Sequence, residues 1–290
     1  AIYHNGAHVN HLFDYSYLYQ ANVGSTLMLL RLACTGKNKS LHFVSTLSAA
    51  SQVNANGELE ESGPADVPPA FVNNGYNLTK WVSERLVWQA AQRGLSATIY
   101  RPGNITGHAR TGTCQPDRNR ILLLLKGSLQ MEAMPVWPDM SFDLSPVDYL
   151  AQAIVGLSLV EQGEPVYHLH NPMPLTWKEY VNTLSQLGYR FEWIAPDAWR
   201  QRLLQLDEHN ALFDVISFYL DEENEDIGDM SVIHWQRTAR MLKQIGVDYP
   251  AKDHALLHAH FCYLMDCGFL PPVPQSAHPA HSAHEIGRAS

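Results

Sequence analysis

Short apolar strands alternate with amphipathic helices along the first third of the chain, and this alternation limits the fold more tightly than any other property of the sequence. The opening residues IYH read as the end of an apolar strand that runs straight into the small-residue turn Asn5-Gly6-Ala7. From Tyr15 to Leu32 the apolar positions Tyr15, Leu18, Tyr19, Val23, Leu27 and Leu30 recur at helical spacing, and Gly36 with the polar residues after it stops the helix. Leu41 to Val44 forms a second strand, with Ser45, Thr46 and Ser48 at its carboxyl end. Residues 49–75 are rich in Asn, Gly, Pro and acid and read as a long surface loop. A helix then runs from Tyr76 to the neighbourhood of Gly94, and Ser96 to Tyr100 is a third strand leading into RPGNITG. Strands and helices in this order imply a parallel sheet with crossover helices, the doubly wound α/β class. Such sheets bind ligands beyond the carboxyl ends of their strands. Those ends are Asn5-Gly6-Ala7, Ser45-Thr46 and Pro102-Gly103-Asn104, all polar or small.

Past Gly107 the pattern loosens. Helices are expected over Asn119–Glu132 and Val147–Val160, and strands over Ser141–Ser145 and Val166–Leu169. Thr176 with Glu179 three residues on spells a capping box for a helix reaching Leu187. Arg190–Ile194 and Pro196–Leu206 alternate once more, and helices over Ser231–Ile245 and Ala251–Cys267 close the fold before Pro271-Pro272. The acidic run Asp221–Asp226 reads as a solvated loop, because nothing in it fixes metal geometry. The expected organisation is the C-terminal portion of a Rossmann-type catalytic domain over residues 1–165, with a substrate-region insertion near 108–140, a smaller, mostly helical substrate-binding part over 166–270, and a flexible tail over 271–290. His278, His281 and His284 fall in that Pro/Ala/Ser-rich tail.

Bulk properties remove several function classes. A 46% hydrophobic chain with only 17% charged residues buries a full core, and its net charge of -9 argues against a nucleic-acid surface. The longest apolar run, Ile121–Leu125, is too short to span a bilayer, and no secretory signal opens the chain. Cys34, Cys114, Cys262 and Cys267 are scattered and read as reduced thiols of a cytoplasmic protein. His254, His258 and His260 lie close together, but a helix face without a third type of ligand fits them better than zinc does.

The helix GYNLTKWVSERLVWQAAQR carries the strongest chemical hint. Tyr76 and Lys80, four residues apart, share a helix face, and a lysine that close favours the phenolate. The spacing alone is weak: thirteen tyrosines among 290 residues make a Y-x-x-x-K pair an ordinary event. With Thr46 at a neighbouring strand end, these groups form a set able to bind an oxygen that gains negative charge. By position alone, a capping threonine, a packed tyrosine and a solvated lysine fit equally well.

Four segments in order, HFVSTLS, GYNLTKWVSERLV, IYRPGNITG and FDLSPVDYLAQAI, resemble the extended short-chain dehydrogenase/reductase family. More narrowly they resemble the thioester reductase domains that end non-ribosomal peptide synthetases. The resemblance covers residues 1–160 best. It implies that Thr46 and Tyr76 polarise a substrate carbonyl, that Tyr76 donates the proton, and that Lys80 lowers the phenol's pKa and holds the nicotinamide ribose. Ser45 is the alternative to Thr46 if the register differs by one. The cofactor implied is NADPH, lined by Asn5, Gly6 and Ala7 and by Pro102, Gly103 and Asn104. Asn22 matches a helix asparagine that is structural or functional, Arg101 braces the loop after it, and Asp143, Pro146 and Asp148 match a fold-stabilising loop. The implied substrate is a peptidyl thioester on the phosphopantetheine arm of a carrier domain, reduced to an aldehyde or further to an alcohol. Trp137, Met131, Met134 and Phe142 are apolar candidates for the acyl channel, with core packing as the plainer role for each.

The family's Gly-rich strand–turn–helix, which holds a dinucleotide's diphosphate, has no counterpart among the eighteen glycines of this sequence. The expectation is that this N-terminal unit is missing from the chain, and that the chain alone binds NADPH poorly and is inactive. Two rivals stay open: a nucleotide-sugar epimerase or dehydratase of the same fold, and a non-catalytic carrier-docking module.

Overall fold

The computed structural model of the chain describes residues 1–161, 163–220 and 233–273. Strand β1, Ile2–His4, is followed by a helical run whose first segment, α1 (Tyr15–Tyr19), is capped by Asp14, which accepts from the Tyr17 amide. The run widens into a π-turn at Gln20–Gly24 and continues as α2, Ser25–Cys34. The Asn22 carbonyl in the wide turn is taken by Thr26 Oγ1 at 2.7 Å and by Ser83 Oγ at 3.2 Å, so side chains supply bonds the regular ladder does not. Strand β2, Leu41–Val44, is buried along its whole length, as a strand covered on both faces must be. Helix α3, Gly75–Gln92, begins at Asn74, whose side chain accepts from the Asn77 amide at 2.8 Å. A Cβ on Gly75 would sit 2.3 Å from the Phe13 carbonyl oxygen, so only glycine lets α3 start this close to the α1 entry.

Strand β3, Ala97–Pro102, leads to β4, Ile105–Thr106, and to α4, Arg120–Gln130, capped by Asn119. Strands β5 (Ala133–Pro135), β6 (Ser141–Phe142) and β7 (Ser145–Pro146) precede α5, Val147–Ser158. Strand β8 (Val166–Leu169) and β9 (Leu175–Thr176) lead into α6, Trp177–Gln186, where the Thr176/Glu179 capping box forms in full. The remaining elements are β10 (Glu192–Ile194), α7 (Pro196–Leu203), α8 (Ile216–Leu220), α9 (Gln236–Gln244) and α10 (His254–Asp266).

The sheet is parallel throughout, in the order β1-β2-β3-β8, which bears out the doubly wound class. Its two faces are told apart by the two-residue period of the strands. Ile99 and Val166 pack with Leu41 and Phe43 under α2 and α3, while Tyr100 and Tyr167 face α5 and α9. A third apolar cluster, built on Trp177, Tyr180, Trp199 and Phe261, joins α4, α6, α7 and α10. The sequence pattern did not foresee β4, β5 and β9, each two or three residues long and too short to show a period. The last two helices are shorter than expected, and Asp221–Asp226 and His278, His281 and His284 lie outside the described residues. His260 is not on a ligand face: its ring is buried and shares a 2.9 Å hydrogen bond with the Tyr180 hydroxyl. Among the described residues no group of three metal-ligating side chains forms, and no helix is long and apolar enough to cross a membrane.

A buried ion pair ties α3 to β3. Arg101 and Glu84 are both fully buried, with Nη2 to Oε2 at 2.6 Å and Nε to Oε1 at 3.0 Å. Arg101 Nη1 also donates to the Ser62 carbonyl at 3.0 Å and to His168 Nε2 at 3.0 Å. His168 in turn gives its Nδ1 proton to the His234 carbonyl at 2.8 Å, which fixes its tautomer, and burial beside Arg101 keeps the ring neutral. One guanidinium thus fastens α3, the 51–65 loop, β8 and the approach to α9. Removing one partner strands the other charge, so Glu84→Gln is expected to lower the unfolding free energy by about 3–5 kcal/mol in urea titrations. The Glu84→Leu/Arg101→Leu double variant should lose less than the sum of its single changes.

Candidate active site

A cavity of about 340 Å³ opens at the carboxyl end of the sheet. Ser45, Thr46 and Ser48 line it from the turn after β2, Tyr76 from the first turn of α3, and Pro102, Gly103 and Asn104 from the end of β3. The structure therefore brings five of the expected residues, Thr46, Tyr76, Pro102, Gly103 and Asn104, to one space. Lys80 is not among the lining residues, and neither are Asn5, Gly6 and Ala7, which stand exposed after β1.

Thr46 sits in extended conformation at the head of a short 3-10 turn, and its Oγ1 accepts from the Ser48 amide at 3.3 Å. With a lone pair engaged there, the hydroxyl proton remains for an acceptor in the cavity. Ser45 Oγ beside it is buried and has no hydrogen-bond partner, a donor held in readiness at the same wall.

Tyr76 is 8% exposed, and burial pushes its phenol up to about 12. That reverses the direction expected from its spacing to Lys80. The reason lies in where the lysine goes: Nζ donates to the Val44 carbonyl at 2.7 Å and stands 4.3 Å from the centre of the Phe43 ring. Lys80 is 3% exposed, and burial, partly opposed by the nearby Glu84 carboxylate, brings its ammonium down to about 8. His4 on β1 is pushed down to about 4 by its own burial and then by the Lys80 charge, so the lysine is the cation of this region. The Tyr76 phenol is accordingly protonated at neutral pH and able to donate.

Asn22 proves structural in its contacts. Its amide accepts from the His8 amide at 2.7 Å and donates to Thr79 Oγ1 at 3.0 Å, pinning the 5–12 segment to α3 one turn from Tyr76. The same segment carries His11, whose ring stacks edge-on to Tyr76 at 5.2 Å, and Val9; both line the cavity. Arg118, Asn119, Arg120 and Ile121 form the opposite wall, with Ser141, Phe142 and Asp143. Arg118–Ile121 fall in the 108–140 stretch expected to form the substrate region and Phe142 among its apolar candidates, whereas Val9, His11, Ser141 and Asp143 were not read from the sequence as facing a ligand. Of the four apolar channel candidates, Phe142 lines the cavity, Met134 is fully buried in core, and Met131 and Trp137 pack against that core.

Residues 1–154 match the model of a family of NAD-binding domains described as Male sterility protein. The chain belongs to this NAD-binding family. Within it, the crystal structure of the terminal R domain from the myxalamid PKS-NRPS biosynthetic pathway is 34% identical, with a TM-score of 0.81 over 93% of this chain and 69% of that one. A thiolation-reductase di-domain from an archaeal non-ribosomal peptide synthetase is 27% identical, with a TM-score of 0.77 over 92% of this chain and 57% of that one. A linear gramicidin synthase of Brevibacillus parabrevis is 32% identical over 93% of this chain, which spans only 5% of that protein. The fold and the ordered motifs thus fall with terminal reductase domains.

The donors of this NAD-binding domain fit the nicotinamide end of a dinucleotide. Lys80 has three N–H donors, of which one goes to Val44, and Ser45 supplies the orphaned buried hydroxyl. Gly103 lines the same cavity, and its backbone abuts Asp143 and His170 with no room for a Cβ. A lysine whose pKa falls from 10.5 to about 8 on folding makes the folded state bind fewer protons than the unfolded chain between those values. Lys80 therefore penalises the fold fully below about pH 8, and the penalty fades as pH rises to 10.5. Relative to Lys80→Met, the wild-type chain should gain up to about 3 kcal/mol of stability across that window, measured by denaturant unfolding at each pH.

Proposed function

We propose that the chain is part of a reductase that releases a carrier-bound peptidyl or acyl thioester as an aldehyde, with NADPH as reductant. The observation that carries this reading is the meeting of Thr46, Tyr76 and the Pro102–Asn104 wall in one cavity, with Lys80 buried behind it. Bound NADPH supplies the hydride that adds to the thioester carbonyl carbon. Thr46 Oγ1 and the Tyr76 hydroxyl donate hydrogen bonds to the carbonyl oxygen as it gains charge. Tyr76, protonated at neutral pH, gives that oxygen its proton. The resulting hemithioacetal breaks its carbon–sulfur bond, yielding the aldehyde and the free pantetheine thiol. A phosphopantetheinylated carrier domain is the partner that this chemistry requires, and similarity to a thiolation-reductase di-domain supports it.

The nucleotide-sugar and docking readings are not favoured, since the similarity is to reductase domains of peptide synthetases at 27% and 34% identity. The test is turnover of an acyl-pantetheine thioester with NADPH in the intact protein, followed by product mass and thiol release. Tyr76→Phe should lower kcat by about 10²–10⁴-fold, and Thr46→Val by about 10²–10³-fold, with little change in the KM for NADPH. A docking module would keep its carrier affinity in both variants and show no aldehyde in any of them.

A further inference from the structure

Asp143 is a carboxyl with 2% exposure on the wall of the cavity. Its Oδ2 accepts from Ser145 Oγ at 2.7 Å and its Oδ1 from the Asn171 amide at 2.8 Å. Its backbone carbonyl accepts from Asn104 Nδ2 at 3.1 Å, and two residues on the Ser145 amide donates to the Asn104 carbonyl at 3.1 Å. The carboxyl oxygen Oδ2 occupies the space beside Gly103: a Cβ there would lie 2.1 Å from it. Asn104 is thus held at both ends by the 143–145 segment, and Gly103 rests directly on the carboxyl. These are the residues that stand beside Thr46 and Tyr76.

We infer that Asp143 is a positioning residue of the reduction site, its carboxylate seating the Gly103–Asn104 wall against which carbonyl and nicotinamide are aligned. This rests on the reductase reading. The ionised form is the one that accepts both bonds; a protonated carboxyl turns one acceptor into a donor and disturbs the seat.

Burial pushes Asp143 up to about 7, against the bonds from Ser145 and Asn171 and the charge of Lys252 ahead of α10, all of which favour ionisation. The neighbouring histidine and tyrosines stay uncharged near that pH. Burial drives His170, after β8, down to about 4, and Tyr149 on α5 and Tyr249 are both pushed above the usual phenol range. The wall is therefore seated above about pH 7 and loosened below it.

Asp143→Asn keeps the shape and removes the charge, so it separates positioning from packing. In wild-type protein the backbone amides of Gly103 and Asn104 should shift in NMR spectra with a midpoint near 7, and stay flat over that range in Asp143→Asn. In thioester turnover the variant should lose about tenfold in kcat at unchanged KM for NADPH, and lose the acid limb of the pH–rate profile. Gly103→Ala should cost about tenfold in kcat in the wild-type background and much less in Asp143→Ala, which vacates the colliding oxygen. Titration of the two amides unchanged in Asp143→Asn, or a variant kcat and pH profile equal to wild type, overturns the inference. Absence of aldehyde from wild-type protein overturns the reductase reading instead, and the amide titration still decides the role of Asp143.

Discussion

The Arg101–Glu84 pair is the constraint on which the rest of the site depends. Glu84 lies one turn beyond Lys80 on α3, and Arg101 immediately precedes Pro102-Gly103-Asn104. A bidentate bond between them sets the register of α3 against the cavity wall at the end of β3. Because both groups are fully buried, their attraction must offset a large loss of hydration, and the additional bonds to Ser62 and His168 occupy both Nη1 donors.

From that frame the chemistry follows by burial. The same low-dielectric surroundings push the Tyr76 phenol up and the Lys80 ammonium down, so each group is held closer to its neutral form than it is in water. A protonated phenol and a lysine poised near neutrality suit a site that must deliver a proton and then stabilise the oxygen left behind. Thr46 adds a donor whose orientation is set by the Ser48 amide, and His11 packs against the Tyr76 ring from the segment that Asn22 pins in place.

Much of this was legible in the sequence, and what was not has identifiable causes. Strands such as Leu41–Val44 and helices with caps at Asn74 and Thr176 announce themselves through period and capping chemistry. The turn residues Thr46 and Pro102–Asn104 follow from the rule that ligands sit at strand ends. The stretch 108–140 read as substrate region, but nothing in it singled out Arg118 to Ile121, because no local pattern says which sheet edge the start of a helix will reach. The phenol shifts up, against the expectation from spacing, because spacing says nothing of its burial or of where the Lys80 side chain goes. Asp143 looked like part of a structural loop, and only the tertiary fold shows it beneath Gly103. Asn5, Gly6 and Ala7 do sit at a strand end as expected, yet they do not line the cavity that holds Tyr76.

The central claim, that this cavity reduces a thioester carbonyl, is tested most directly by isotope transfer. The intact protein is incubated with an acyl-pantetheine thioester and NADPH deuterated at the transferred position of C4, and the released product is analysed by mass spectrometry. Reduction at this site yields an aldehyde carrying one deuterium on its carbonyl carbon, together with free pantetheine thiol. Release of the carboxylic acid, or of an aldehyde without deuterium, would contradict it.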